Sequence, residues 1–436
     1  MSLTSELANP SSPLAHYLTK RFPHRGAIAD TYAAAVRDAP TVTPAAGGGY
    51  PWALVGSAFG HRLGFAFAAD PPYAALLGAT QLTDTEQVAH LAAAQFATAR
   101  MLADGDVHRA GYVRVVVGDR CLLLPSADDA PELDAAQWAA PDPTVQPHLE
   151  LFAQLAERVQ GPLPPGRPRP ERAAEQPLLA ECWWLACYEA LYRSGRCPQL
   201  TSALGRLGPA ATAEALRQLT PKAVGEDLRR LTVALAERGY DQLAVLGGPV
   251  TVAPLFVQHW AEGDLVLGGT LVEVKVAKQP LPLRDEWLNQ LLGYVLLDRG
   301  DWYGLRQVAV FLGRQARLVA WPLPELLPSL TGDPLVTLAE LRAEFHELLE
   351  QVWANDPRFP FHHLWATRTQ PPWRPPLSAN DVAEARVARV LAQTTVPLTQ
   401  PTPPRSRRPT EPSEGGRAAR IRDRLARLLE RPARHA

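Results

Sequence analysis

The stretch DLVLGGTLVEVKV, residues 264–276, sets three charged residues into an otherwise apolar run. A Gly-Gly pair at 268–269 separates two β-rich segments and predicts a two-residue hairpin, because both turn positions of such a hairpin favour residues that tolerate positive φ. The turn fixes which residues of the two strands face each other. The predicted pairs are Leu267 with Thr270, Val266 with Leu271, and Leu265 with Val272.

The same register places the three charged side chains of the hairpin together. Asp264 is expected directly across from Glu273, and Lys275 shares the face of Glu273 because side chains alternate along a strand. Two carboxylates in opposed positions repel each other, and burial raises the cost of this repulsion. A divalent cation between them would remove that cost. The pattern therefore predicts a metal site, with the ammonium group directed at whatever the metal binds.

Length and composition indicate a globular protein. The chain has 436 residues, of which 46% are hydrophobic and 20% charged, so two or three domains are expected. Its apolar runs are too short to span a bilayer, and the first residues lack a basic segment followed by an apolar one, which predicts neither secretion nor membrane insertion. The four cysteines form no CxxC pair, so reduced cysteines and a cytoplasmic location are expected: Cys121, Cys182, Cys187 and Cys197.

Charge is distributed unevenly along the chain. Residues 405–436 contain ten Arg and four acidic residues, so this segment carries +6, and the rest of the chain carries −7 of the net −1. An excess of Arg over Lys is typical of a protein from a GC-rich bacterial genome. Two of the four lysines, Lys275 and Lys278, lie in or just after the hairpin, where Arg would have supplied mere positive charge.

Composition shifts divide the chain into four parts. Residues 1–158 are predicted to form an N-terminal α+β domain, with a helix at 84–104 and a strand pair within 110–125. The Pro- and Arg-rich residues 159–177 are predicted to be a linker. Residues 178–357 are predicted to form a second domain of α/β class. In it, a helix that ends at Gly239 is followed by one strand within residues 247–260, the two hairpin strands, another helix and further strands. Residues 358–436, rich in Pro and Arg, are expected to be a largely disordered tail.

The charged hairpin resembles the D…(D/E)xK signature of the PD-(D/E)XK nuclease superfamily. Asp264 precedes Glu273-Val-Lys275 by eight residues, and Gln290-Leu-Leu-Gly-Tyr294 is similar to the QxxxY motif of the RecB-like branch. The resemblance covers about residues 222–322. It implies a restriction-endonuclease-like core, a mixed central sheet flanked by helices, with the N-terminal domain and the tail added to it.

The resemblance also implies roles for these residues. Asp264 and Glu273 would bind Mg²⁺ or Mn²⁺, cations that prefer oxygen ligands. Lys275 would orient the attacking water or stabilise developing negative charge. Gln290 and Tyr294, which share a helix face at i and i+4, would steady the site or contact DNA.

Many members of the superfamily add an acidic residue from the first core helix. Glu226 is the candidate in this chain, and Glu237 is the second choice. No distinctive motif fixes which of the two faces the site.

The implied function is metal-dependent hydrolysis of phosphodiester bonds in DNA, in repair, recombination or defence. One alternative is a catalytically silent nucleic-acid-binding or scaffolding protein with the same fold. Another is an ordinary structural protein, in which the Asp and Glu lie at an exposed strand end and pair with Lys275. The expected partner is nucleic acid, and the N-terminal domain or the Arg-rich tail offers a surface for a protein partner.

Other conspicuous residues favour structural roles. Lys278 and Arg284 are predicted to be solvated loop charges rather than DNA contacts. The aromatic residues Trp183, Trp184 and Tyr188 are predicted to belong to the core rather than to a base-stacking surface.

Overall fold

A computed structural model describes residues 2–45, 50–70, 146–208, 211–257, 260–277 and 282–354, a few positions between 72 and 82, and the backbone of two strands between 112 and 125. The helices are α1 (Leu3–Leu7), α2 (Pro13–Arg21), α3 (Gly26–Val36), α4 (Trp52–Phe67), α5 (Gln146–Gln160), α6 (Glu175–Ser194), α7 (Pro198–Leu207), α8 (Ala213–Gln218), α9 (Lys222–Ala234), α10 (Tyr240–Ala244), α11 (Asp285–Leu297), α12 (Leu323–Thr331) and α13 (Leu338–Ala354). The strands are β1 (Tyr112–Val117), β2 (Arg120–Pro125), β3 (Val250–Val252), β4 (Leu255–Val257), β5 (Ala261–Glu262), β6 (Leu265–Leu267), β7 (Thr270–Lys275), β8 (Gln307–Leu312) and β9 (Arg317–Pro322).

A five-stranded mixed sheet flanked by helices organises the fold. Its strand order is β3-β6-β7-β8-β9, and all neighbours are antiparallel except β7 and β8, which are parallel. Parallel neighbours need a crossover connection, and α11 supplies it between β7 and β8. The α/β class predicted from the sequence is confirmed at this level.

The hairpin register agrees with the sequence prediction. Leu267 pairs with Thr270, and the next two pairs follow in step to Leu265 and Val272. Gly268 and Gly269 both have positive φ, 53° and 79°. A Cβ on Gly268 would come within 2.0 Å of the Leu246 carbonyl oxygen, so only glycine fits there.

Each face of the sheet is covered by its own hydrophobic core. Alternating residues such as Val272 and Phe311 pack with α4, α6 and α9 on one face. Residues such as Leu271 and Val310 pack with α11, α13 and the first three helices on the other. Burial on both faces explains the near-continuous apolar sequence of the inner strands.

The segment predicted as one strand after residue 247 forms two. Ala253 adopts a positive φ of 50° and Pro254 has no amide hydrogen, so the chain leaves the sheet between β3 and β4. β4 instead pairs with β5 in a separate two-stranded sheet.

The helix predicted to end at Gly239 continues beyond it. A π-helical turn, Leu235–Gly239, links α9 to α10 without a break. A Cβ on Gly239 would lie 2.8 Å from Cζ of Phe311, a buried residue of β8. The glycine therefore lets the helix approach the sheet closely rather than ending it.

Residues of the predicted N-terminal domain complete both cores. Phe59 of α4 belongs to the core on one face, and Leu3 of α1 to the core on the other. The amide of Leu3 also donates to the Trp260 carbonyl at 2.7 Å. The predicted boundary at residue 158 falls inside α5, and all described residues belong to one compact unit.

Several further predictions are resolved by the same structure. The strand pair β1–β2 forms as predicted, and Trp183, Trp184 and Tyr188 are buried core residues. The helix predicted at 84–104 and the tail at 358–436 lie outside the described residues. None of the described helices is both long and apolar enough to cross a membrane.

Candidate active site

Asp264 lies immediately before β6, at the end of the hairpin opposite the turn. Its Oδ2 accepts a hydrogen bond of 2.7 Å from the amide of Val274 on β7, and its carbonyl accepts one of 2.9 Å from the amide of Ala253, the residue that follows β3. The backbone of both neighbouring strands therefore fixes the position of this carboxyl group.

Glu273 has one carboxylate oxygen that is satisfied and one that is not. The residue is buried on β7, and its Oε1 accepts a hydrogen bond of 2.7 Å from Lys275 Nζ. Its Oε2 is buried and has no hydrogen-bond partner among the described residues. A buried charged oxygen without a partner is costly, so this atom is a candidate ligand for a cation.

Lys275 is held between β7 and the crossover helix. Its Nζ donates to Glu273 Oε1 and, at 3.0 Å, to Gln290 Oε1 on α11. The ammonium lies 5.7 Å from the centre of the Trp287 ring, within cation–π range. These contacts orient a side chain that is otherwise flexible.

Gln290 and Tyr294 are hydrogen-bonded to each other on the buried face of α11. Gln290 Nε2 lies 3.0 Å from the Tyr294 hydroxyl, which in turn donates to the carbonyl of Glu262 at 2.8 Å. Burial raises the pKa of Tyr294, and the nearby Glu273 raises it further, so the phenol remains protonated. The i, i+4 spacing thus places the two side chains in contact, and Gln290 links them to Lys275.

The electrostatics of Asp264 reflect its proximity to a second carboxylate. Burial raises the pKa of Asp264 to about 7, and the charge of Glu273 adds to the effect. Lys275, the Val274 amide and Arg193 act in the opposite direction. The two carboxyl groups therefore resist being ionised together, as a pair without a cation between them should.

A second set of charged residues borders the site and was not predicted from the sequence. Arg193, at the end of α6, lies 2.6 Å from Glu189 Oε1 and 3.2 Å from Glu262 Oε2. Glu189 also lies 2.9 Å from His61 Nε2 of α4, at ion-pair distance but without hydrogen-bond alignment. Burial raises the pKa of Glu189, but Arg193 and His61 outweigh it and lower that pKa to about 2.

The acidic residues proposed for the first core helix lie elsewhere. Glu226 on α9 pairs with Arg229 and Arg230, its neighbours one turn away, and these bonds lower its pKa to about 2. Glu237 is exposed on the π-helical turn. No described contact joins either residue to the Asp264 group.

The buried carboxylate of α9 is instead Asp227. It receives two hydrogen bonds from Arg314, at 2.8 and 2.6 Å, and one of 2.8 Å from the Tyr50 hydroxyl. Both oxygens of Asp227 are thus hydrogen-bonded, so its role in the fold is that of a paired core residue.

The donor set at the hairpin suits a hard divalent cation. Asp264 and Glu273 offer carboxylate oxygens, one of them unpartnered, and with Lys275 they carry a net −1 when ionised. The described residues contain no cluster of three or more His, Cys, Asp or Glu side chains arranged for a metal. A cation here would depend on water and substrate oxygens for its remaining ligands, as Mg²⁺ commonly does.

Comparisons of the chain with models of protein families, with curated proteins and with solved structures give no match. Its function is therefore inferred from its sequence motifs and its side-chain geometry.

Proposed function

We propose that the chain is a metal-dependent nuclease of restriction-endonuclease-like fold, which hydrolyses phosphodiester bonds in DNA. The observation that carries the proposal is Oε2 of Glu273, which is buried close to Asp264 and has no hydrogen-bond partner in the part of the chain that the structure describes. The ammonium of Lys275 binds the other oxygen of the same carboxylate. Two carboxylates in this relation cost free energy in a metal-free protein, which favours a role in holding a cation.

Two residues of the site would hold the metal, and a third would contact the water or the substrate. Asp264 and Glu273 would hold Mg²⁺ or Mn²⁺, which when bound lowers the pKa of water and neutralises charge on the scissile phosphate. Lys275 uses two of its three hydrogens on Glu273 and Gln290. The third is available to donate to the attacking water or to a phosphate oxygen.

Gln290 and Tyr294 support this geometry from α11. Gln290 accepts from Lys275 and donates to Tyr294, so the amide fixes the direction of the ammonium. A restrained lysine loses less entropy when it meets the transition state. The Arg-rich residues 405–436 would add nonspecific attraction for the phosphate backbone or for a protein partner.

The test is cleavage of single- and double-stranded DNA in Mg²⁺ or Mn²⁺ by the wild type and by Lys275→Ala. We expect metal-dependent cleavage by the wild type and a loss of at least about a hundredfold in the variant, because a preorganised charge at the reacting group is removed. Lys222→Ala is the matched control, since Lys222 is an exposed lysine on α9. Circular dichroism establishes that each variant is folded.

The outcomes separate the candidate functions. Equal cleavage by the wild type and Lys275→Ala would contradict the proposal. DNA binding without cleavage in either metal would support the catalytically silent nucleic-acid-binding protein. Absence of both binding and cleavage would leave a structural or scaffolding role as the better account.

A further inference from the structure

Arg193 is an exposed cation that is anchored beside the candidate site. Its side chain is 44% exposed although two carboxylates hold it, Glu189 through Nε and Glu262 through Nη2. A guanidinium group has five N–H donors in a fixed plane. The recorded contacts with described residues engage only Nε and Nη2, so the remaining hydrogens of the guanidinium can be offered to a ligand.

The anchors of Arg193 connect it to the hairpin residues. Glu262 binds Arg193 with its side chain and accepts from Tyr294 with its carbonyl. Tyr294 continues through Gln290 to Lys275. Arg193 and Lys275 therefore lie at the two ends of one chain of polar contacts, and Arg193 is near enough to Asp264 for its charge to act on that carboxyl group.

The geometry favours recognition of phosphate by the guanidinium. The guanidinium of Arg193 is held by two carboxylates and is partly exposed to solvent, so it loses little side-chain entropy when it binds an anion. A planar fork of N–H donors matches the nonbridging oxygens of a phosphodiester. In a nucleic-acid strand, the phosphates on either side of the scissile one are the anions that a cation beside the site would meet.

We propose that Arg193 binds a phosphate group adjacent to the scissile bond and so positions the nucleic-acid strand across Asp264 and Glu273. The inference rests on the proposed nuclease function and adds a substrate contact outside the motifs of the hairpin and α11. It assigns α6, which the sequence predicts only as a core helix, a part in substrate binding.

The experiment compares Arg193→Ala and Arg193→Lys with the wild type, all as the full chain with Mg²⁺, on a fluorescein-labelled DNA strand. We expect Arg193→Ala to raise KM by about tenfold, the effect of one lost charge-assisted hydrogen bond. The slope of log affinity against log salt should fall by about one, because one phosphate contact is lost. Affinity and salt slope are read by fluorescence anisotropy in a Lys275→Ala background. Arg193→Lys keeps the charge, so its KM should lie between those of the wild type and Arg193→Ala.

Arg306→Ala is the matched control. Arg306 is an exposed arginine that pairs with Asp301, and its amide bonds to the carbonyl of Gly269, at the turn end of the hairpin. This position is about 20 Å along the strand from Lys275. We expect KM and the salt slope of this variant to match those of the wild type.

Two outcomes would overturn the inference while leaving the nuclease proposal intact. In the first, the wild type cleaves DNA and Arg193→Ala has the KM and salt slope of Arg306→Ala. In the second, Arg193→Ala loses kcat and thermal stability with an unchanged salt slope, as a purely structural ion pair would. Arg193→Gln replaces the alanine variant if that does not fold. A wild type that neither binds nor cleaves the strand would overturn both proposals.

Discussion

The carboxyl group of Asp264 lowers the stability of the metal-free protein at neutral pH. Its pKa is raised to about 7, chiefly by burial and then by Glu273, whereas an aspartate in an unfolded chain titrates near 3.9. The folded protein therefore binds this proton more tightly than the unfolded chain does. Stability associated with this group is complete below about pH 4 and is lost as the pH rises towards 7.

Asp264→Asn should stabilise the metal-free protein at neutral pH. The amide keeps an acceptor for the Val274 amide but cannot ionise against Glu273. We expect the free energy of unfolding to exceed that of the wild type by about 2–4 kcal/mol at pH 7 and above, with the difference shrinking as the pH falls to 4. Urea denaturation in the presence of a chelator measures it.

In the presence of Mg²⁺, the wild type should become more stable than Asp264→Asn. A ligand that binds only the folded state stabilises it, and the wild type keeps both carboxylates for that purpose. Asp30→Asn, at an exposed aspartate of α3, is the control and should change the free energy of unfolding little, with or without Mg²⁺. A metal-free Asp264→Asn that is less stable than the wild type at every pH would contradict the expectation.

Sequence reasoning succeeds where a residue's position follows from local periodicity. The hairpin register follows the pattern, and the i, i+4 spacing of Gln290 and Tyr294 places the two side chains in contact on one helix face, with Gln290 bonded to Lys275. Periodicity does not choose between neighbours on a helix, because one step turns a side chain by about 100°. That step separates Glu226, which pairs with arginine, from the buried Asp227. Arg193 could not be found in this way, since its link to Glu262 is purely tertiary.

At the scale of elements, the π-helical turn and β8 can pack closely because Gly239 has no side chain. Gly239 lies against the ring of Phe311, which is fully buried, and against Leu235 on its own helix. Phe311 pairs with Val274 on the neighbouring strand, next to Glu273. The spacing between helix and sheet thus bears on the strand that carries the candidate site.

Gly239→Ala should destabilise the protein by up to about 2 kcal/mol. Overpacking a buried contact costs about 1–3 kcal/mol, and the higher helix propensity of alanine offsets about 1 kcal/mol of it. Gly225→Ala, on the same helix with nothing within 4 Å of the added carbon, is the control and should be stabilising by up to about 1 kcal/mol. Thermal unfolding of the two variants checks the opposite signs.

A double variant tests the cause. Adding Phe311→Leu to Gly239→Ala should show a favourable coupling energy, because the smaller side chain makes room for the methyl group. Equal stabilisation by both glycine substitutions, or no coupling to Phe311, would show that the contact does not limit the packing.

Elements were predictable where residue type alone decides them. The Gly-Gly turn, the apolar strand β8, its neighbour β9 and the amphipathic α13 follow from pattern. The continuation of the helix past Gly239 was not predictable, because the same glycine that usually ends a helix serves here to admit Phe311. The break between β3 and β4 depends on a positive φ at Ala253, which an alanine seldom adopts.

At the scale of the whole molecule, the sheet needs the N-terminal helices on both faces. α4 packs in the core that contains Phe311, and the first three helices pack in the core that contains Leu271. Leu3 and Leu7 also contact the position of Gly293, between Gln290 and Tyr294. The helix that orients Lys275 is thus supported from behind by the start of the chain.

A fragment of residues 178–357 should therefore not fold on its own. Removing the earlier residues exposes apolar surface on both sides of the sheet, and this surface should leave the fragment aggregated or loosely packed. Residues 1–357 are the matched control and should unfold cooperatively. Near-ultraviolet circular dichroism and dye binding to exposed apolar surface distinguish the two.

Independent folding of the 178–357 fragment would contradict this expectation and would support the domain boundary predicted at residue 158. That boundary was drawn from composition, because the Pro- and Arg-rich residues that follow it are typical of linkers. Composition carries no information about contacts between segments far apart in the sequence. The sharing of both cores could be recognised only from the structure.

The hydrogen bond between Leu3 and the Trp260 carbonyl has a consequence for synthesis on the ribosome. The first of these residues is added to the growing chain 257 residues before the second. At about 5–20 residues per second, the interval is roughly 13–50 s. Throughout that time the apolar side chains of α1 and α2 have no sheet to pack against. These two helices are therefore expected to be among the last elements to reach their native positions.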